Sequence, residues 1–340
     1  MKKSILICLA AMSLLLSTSC KASNDTAQSS DLKTDTSSIS INSIDNNIWT
    51  YESSNGYVDK YGIQYEEGGI VITGYNGNDN VITVPETIDG KTVVGCIGDI
   101  FGRLDENGEF ISSVTEICFP KDMHSVILPY YENIETITFP DGQTSVRKGC
   151  FKQCTNLKSF DCPSELTSIG DSAFSGCGSL TDVTFNDKLE NIGSAAFYNT
   201  SLTKIALPES LKEIGTSAFS DCADLQEVEL PEGVNKIGKG AFRNTAITSI
   251  NLPAELTEIE NGMFLNCTSL ASVEIPDKVQ KIGANAFENC TLLKTISIPD
   301  SVESIDGLAF KGCEDLTINC SKGSYAERFA SEHGFSYIVT

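Results

Sequence analysis

Between Cys150 and Cys313 apolar residues return at fixed places in a phrase of 22 or 23 residues, fullest in LPESLKEIGTSAFSDCADLQEVEL (Leu207 to Leu230). Phenylalanine marks the beat at 151, 174, 197, 219, 242, 264, 287 and 310. A fixed period of this length is the signature of stacked repeats, each too small to bury its apolar face alone. Inside one phrase the pattern is that of a strand. In Leu180-Thr-Asp-Val-Thr-Phe185, Val183 and Phe185 alternate with Asp182 and Thr184, the two-residue period of a strand with one face inside. The inward pair recurs at Ile205/Leu207, Val228/Leu230, Ile250/Leu252, Val273/Ile275 and Ile296/Ile298. Proline follows in most copies (Pro208, Pro231, Pro253, Pro276, Pro299), ending the strand where its missing N–H costs no ladder bond.

Next comes Leu-x-x-Ile-Gly, as in Leu211-Lys-Glu-Ile-Gly215, which predicts a corner. Its glycine serves either a positive φ or a close approach between coils. Glu260 and Asp306 replace that glycine in two copies, so it is preferred rather than required. Ala-Phe, as in Ala218-Phe219, puts a small and a large residue into the interior. Stacked at about 4.8 Å per rung, identical positions form ladders.

Three residues after each Phe stand Cys154, Cys177, Thr200, Cys222, Thr245, Cys267, Cys290 and Cys313. Thirteen cysteines in a chain with a secretion signal would suggest a disulfide framework. The alternation with Thr speaks against it and predicts buried core thiols, since free Cys is among the most buried residue types. Pairing between neighbouring rungs, such as Cys267 with Cys290, stays open. Cys118, Cys150, Cys162 and Cys320 occupy apolar slots and read the same way.

Outside the regular array the pattern changes. Residues 1–19 carry Lys2 and Lys3, the apolar run Ile5 to Leu16, then small residues before Cys20, a secretory signal too short to span a membrane. Residues 20–47 are rich in Ser, Thr, Asp and Asn and predict a flexible tether. Residues 48–95 read as a starting β module, with strands at Tyr61–Tyr65 and Gly69–Thr73, a turn at Tyr75–Asn80 and a loose first copy from Val81. Within the repeats, 96–320, the part 102–149 is irregular: strand-like copies at Val114–Pro120 and Ile134–Pro140 lack the Phe-centred half between them. In 321–340, Ser324 to His333 is a helix pattern with Ala326, Phe329 and Ala330 on one face. Gly334 stops it, a strand returns at Phe335 to Ile338, and the whole predicts a cap over the open core.

The formal net charge is −22, and loss of Lys2 and Lys3 with the signal leaves −24. Such a surface repels nucleic acid and anionic membrane. The two histidines, His124 and His333, are some two hundred residues apart, and no nucleophile elbow, P-loop or metal helix appears. The chain calls for no enzyme activity, no cofactor and no metal.

With the phrase written Leu-Pro-x-x-Leu-x-x-Ile-Gly-x-x-Ala-Phe-x-x-Cys-x-x-Leu-x-x-Val-x-Leu, the chain resembles the BspA-type leucine-rich repeat family of bacterial surface proteins over about residues 90–320. The resemblance implies a mainly β, α+β solenoid, a right-handed parallel-stranded array of about ten rungs. It also implies a β cap at the N-terminal end and a helix–strand cap at the C-terminal end. Family members are associated with adhesion to host or matrix proteins, so the implied function is non-enzymatic binding of such a protein partner at the cell surface. Residues 17–20 resemble the bacterial lipobox, with Ser17 where that motif prefers Leu, and imply a lipid anchor on Cys20.

The family supplies no contact residues, so the candidates come from the pattern. The outward strand positions Asp161, Asp182, Thr184, Lys204, Glu227, Glu229 and Glu274 form one continuous face. Tyr130 and Tyr131, in the irregular segment, are the aromatic anchor candidates. A scaffold of the envelope and an accessory glycan-binding lipoprotein are the alternatives. The oligomeric state is not specified by the pattern.

Overall fold

The computed structural model describes residues 48–54, 68–97, 100–104, 110–120, 123, 125–139 and 142–340. The signal, the tether with Cys20, the expected strand at 61–65 and His124 lie outside the described residues. What is described is a β-solenoid of about 11 turns with one C-terminal helix.

Each regular coil carries two strands, where the sequence predicted one. The front strand is the alternating segment, such as Asp182–Thr184 or Glu227–Glu229, and it pairs in parallel with its neighbour, Ser159↔Asp182 and Lys204↔Glu227. The back strand is the Ile of Leu-x-x-Ile-Gly with the residue before it, as in Asn191–Ile192, and it too pairs in parallel. Each has one inward residue beside outward ones, buried at Val228 and Ile192 and half-buried at Val183.

The glycine after the back strand is there for the close approach. A Cβ on Gly215 would lie 2.5 Å from the backbone carbon of Gly193, and one on Gly238 would lie 2.5 Å from the nitrogen of Thr216. No contact of that length is tolerated by a real side chain. The closeness lets the following N–H reach the coil below: Gly193 N donates to Ile169 O at 2.7 Å and Gly215 N to Ile192 O at 2.8 Å. The back ladder runs unbroken from Ser145–Val146 to Lys236–Ile237, then opens once before Glu258–Ile259. Two departures coincide there. The Phe242-to-Phe264 coil has 22 residues, and Glu260 replaces the glycine. At Gly215 the coil is equally short but keeps its glycine, and at Asp306 the glycine is lost in a 23-residue coil. Both of those steps stay bonded, with Asp306 N 2.9 Å from Ile282 O.

Positive φ occurs elsewhere, two residues before and two after the Phe. Ser172, Ala195 and Ser217 (φ 54, 54 and 55) hold the first position; Asn199, Asp221, Asn244, Asn266 and Asn289 (φ 54 to 62) hold the second. Short polar side chains and glycine tolerate this left-handed geometry best. The kinked turn aims its N–H groups at the following coil: Ser217, Phe219 and Asp221 donate to Lys239, Ala241 and Arg243 carbonyls at 2.8–2.9 Å. Above it the amides form their own ladder, Asn266 to Asn244 and Asn289 to Asn266, both at 2.7 Å.

The core is the Phe column. From Phe174 to Phe264 successive rings stack at 5.3–5.9 Å, within 7° of parallel, in the separation range aromatic pairs favour. Both ends turn edge-on: Phe139 meets Phe151 at 89°, and Phe335 meets Phe310 at 77°. Helix Tyr325–His333, capped by the Ser324 hydroxyl on the Glu327 N–H and ended by left-handed Gly334, buries Ala326, Phe329 and Ala330 against the last coil.

The half-repeat that the sequence lacked is present. Leu128 takes the Phe place, its N–H bonding Cys150 O at 2.7 Å as Phe151 N bonds Ala173 O, and it lies 23 residues before Phe151. A Leu for Phe, and Tyr131 for the Cys, hid it.

Candidate functional site

The front face is built by strand alternation alone. Asp161, Asp182, Thr184, Lys204, Glu227, Glu229 and Glu274 are all exposed, while Phe160, Ile205, Val228 and Val273 beside them are buried. Register sorts the outward side chains into two columns: one holds Asp182, Lys204 and Glu227, the other Asp161, Thr184 and Glu229. In the next bonded pair Asn251 stands beside Glu274. Lys204 is the one cation in these columns among strands 159–161 to 295–297. The front ladder is bonded at alternate steps, as between Asp182 and Ser159, and open between Asp182–Thr184 and Lys204–Ala206.

The tyrosines do not join this face. Tyr131 is fully buried, which corrects its assignment as a surface anchor. It fills the Cys slot, and its hydroxyl accepts the Phe101 N–H at 3.1 Å, a reach no cysteine has. Tyr130 is 57% exposed, but at φ 68 it stands on the left-handed turn, its N–H bonded to Lys152 O, and not among the front strands. It remains an exposed aromatic next to the array's first coils.

The column cysteines Cys154, Cys177, Cys222, Cys267, Cys290 and Cys313 are unbridged and buried. Each thiol reaches the carbonyl at the Phe place of the coil before, Cys177 to Phe151 and Cys313 to Phe287 at 3.1 Å. Cys118 departs from that reading, being disulfide-bonded. The Thr slots are explained by a deletion. Thr200-Ser-Leu202 and Thr245-Ala-Ile247 have one residue fewer than Cys-x-x-Leu. In full-length turns the Cys N–H caps the Phe carbonyl of its own coil, as Cys177 N does for Phe174 at 3.1 Å. In the short turns the threonine hydroxyl does so, at 3.1 Å to Phe197 and 2.8 Å to Phe242. Burial pushes the Cys154 and Cys162 thiols up to about 12, and those of Cys267 and Cys313 up to about 11. Such thiols are poor nucleophiles.

Other chemistry is sparse. His333 lies 4.3 Å from the Phe329 ring, with Nδ1 3.0 Å from the Phe329 carbonyl. Among the described residues no group of three or more His, Cys, Asp and Glu is placed to hold a metal, and no helix is long and apolar enough to cross a membrane. Ion pairs tie neighbouring coils at matching slots, as Lys188 to Glu165 at 2.6 Å and Lys236 to Glu213 at 3.2 Å.

The chain is similar to solved structures of leucine-rich repeat proteins. A leucine-rich repeat protein from Bacteroides ovatus is similar at 23% identity and a TM-score of 0.56, over 80% of this chain and 69% of that one. A leucine-rich repeat protein from T. pallidum is 26% identical with a TM-score of 0.43, over 73% of this chain and 88% of that one. Among curated proteins none matches. The model of the BspA type leucine rich repeat region matches residues 129–198 and 190–317, more than half of the sequence, in six copies. The chain belongs to the BspA-type leucine-rich repeat family.

Proposed function

We propose that the chain is a non-enzymatic binding module displayed at the cell surface, engaging a host or matrix protein through the front face. The observation that carries this is the pair of exposed columns from Asp161 to Glu274, a solvent-facing array whose backbone is fixed by the stacked core. Its acidic side chains, with Lys204 between Asp182 and Glu227, favour a partner surface of mainly basic character. Export and attachment rest on the N-terminal apolar run and on Cys20, whose thiol would carry the lipid while residues 20–47 hold the solenoid away from the membrane. Immobilised matrix proteins titrated with the purified solenoid test the binding. Saturable binding that falls with added salt and weakens in a Glu227→Lys, Glu229→Lys double variant is expected. Absence of saturable binding to any of them would favour an envelope scaffold instead. Cys20→Ala is expected to abolish lipid labelling and release the protein from the membrane fraction.

A further inference from the structure

The turn 75–79 and the segments 101–102 and 112–114 border a cleft of about 630 Å³, within the range of small-ligand sites. We infer that this cleft is a binding site for an uncharged sugar. Tyr75 and Phe101 are its aromatic lining. The Tyr75 ring is wedged 4.7 Å from Trp49 and 6.1 Å from Phe101, and Gly77 lets the turn fold over it, since a Cβ there would lie 2.3 Å from the phenol oxygen. The phenol donates to the Asp79 carboxylate, holding that acid at the edge of the cleft. The opposite wall is also fixed before any ligand arrives. Ser112 Oγ donates to the Phe101 carbonyl and accepts the Val114 N–H at 3.2 Å, and the Asn133 amide donates to the Ser112 carbonyl. Two walls that need no reordering lower the cost of binding.

The lining chooses the chemistry. Asn78, Asp79 and Ser113 are exposed and line it, and among the described residues no Lys, Arg or His does. An anionic ligand would find no counter-charge among the described lining residues, in a chain of net charge −22. A hydrocarbon would strip water from a carboxylate and amides without replacing their hydrogen bonds. A metal ion would have one carboxylate, already shared with a phenol. Adjacent hydroxyls on a neutral ring meet these demands: they donate to Asp79 and exchange bonds with the Asn78 amide and the Ser113 hydroxyl. This site does not depend on the protein-binding reading of the front face.

The test is a glycan array probed with the purified chain, carrying neutral and anionic glycans of host type and bacterial polysaccharides, followed by calorimetric titration of the strongest neutral ligand. Saturable binding of neutral glycans is expected, weakened about tenfold or more by Asp79→Ala. Asn78→Ala, on an exposed side chain, is expected to weaken it as well and decides the matter if Asp79→Ala fails to fold. The Glu227→Lys, Glu229→Lys variant should bind the sugar unchanged. Whether host or bacterial glycans respond identifies the source. No saturable binding, a preference for anionic glycans, or affinity that survives Asn78→Ala and a folded Asp79→Ala overturns the proposal.

Discussion

Gly193, Gly215 and Gly238 are glycines for the sake of the coil below them. Their own backbone would accept a side chain; the 2.5–2.6 Å approach to the preceding backbone would not. Gly215→Ala should therefore cost about 1–3 kcal/mol, as overpacking into a closed contact does. Gly178→Ala, whose added Cβ meets nothing within 4 Å, should be neutral or slightly stabilising. Urea midpoints of the two variants check this, and equal midpoints would sink the account. From the sequence the Ile-Gly slot was visible, but not which of its two reasons applied. The signal that settles it was present and overlooked. Asn or Gly recurs two places after most of the Phe residues, claiming the left-handed positions and leaving the Ile-Gly glycine the role of close approach. Tyr131 was misjudged for a related reason. Next to an exposed Tyr130 it looked like half of an anchor, whereas its register, three places after Leu128, makes it a core residue.

At the scale of the element, the Phe and Cys columns act as continuous objects crossing coil boundaries. The Cys column stores a pH dependence. Buried thiols keep their protons up to about 11 for Cys267 and Cys313 and about 12 for Cys154, while an unfolded thiol loses its proton near 8.5 by the reference value. The folded state thus binds more protons above that point. The contribution is full below the unfolded value and is lost as pH rises through 11 to 12. Stability should hold to about pH 8.5 and then decline, and Cys267→Ala should shallow that decline at the expense of a lower plateau. Native column thiols should react slowly with a disulfide reagent at pH 8; rapid stoichiometric reaction without unfolding would refute this. The repeating columns were legible because eight Phe made the period unmistakable. The second strand of each coil was not, because two residues are too short to show alternation.

For the whole molecule, the ends decide whether a stack of self-similar coils stays one molecule. Helix Tyr325–His333 closes one end with Phe329 and Phe335 set edge-on to Phe310. Phe329→Ala should lower stability by about 3–5 kcal/mol if the loss matches buried-aromatic truncations elsewhere, with the last coils exchanging amide hydrogens first. Uniform exchange along the array would count against that. This cap was readable residue by residue, from Ser324 through Gly334, because capping chemistry is local. The ion pairs between coils matter less: at Lys188–Glu165 and Lys236–Glu213 both partners are about half exposed, and each is worth about 0–1 kcal/mol.

The direction of the hydrogen bonds has a further consequence. Turn N–H groups point to the following coil, as from Phe219 to Ala241, while back-strand N–H groups such as that of Gly193 point to the preceding one. Where the ladders are bonded, a coil therefore presents a template of donors and acceptors on its leading face and the matching template on its trailing face. A bare leading face would match an equally bare trailing face of another copy, a head-to-tail contact of the kind that builds filaments when it does not close. At one end that match is denied by the helix, which packs its Phe329 against Phe310 and covers the last coil.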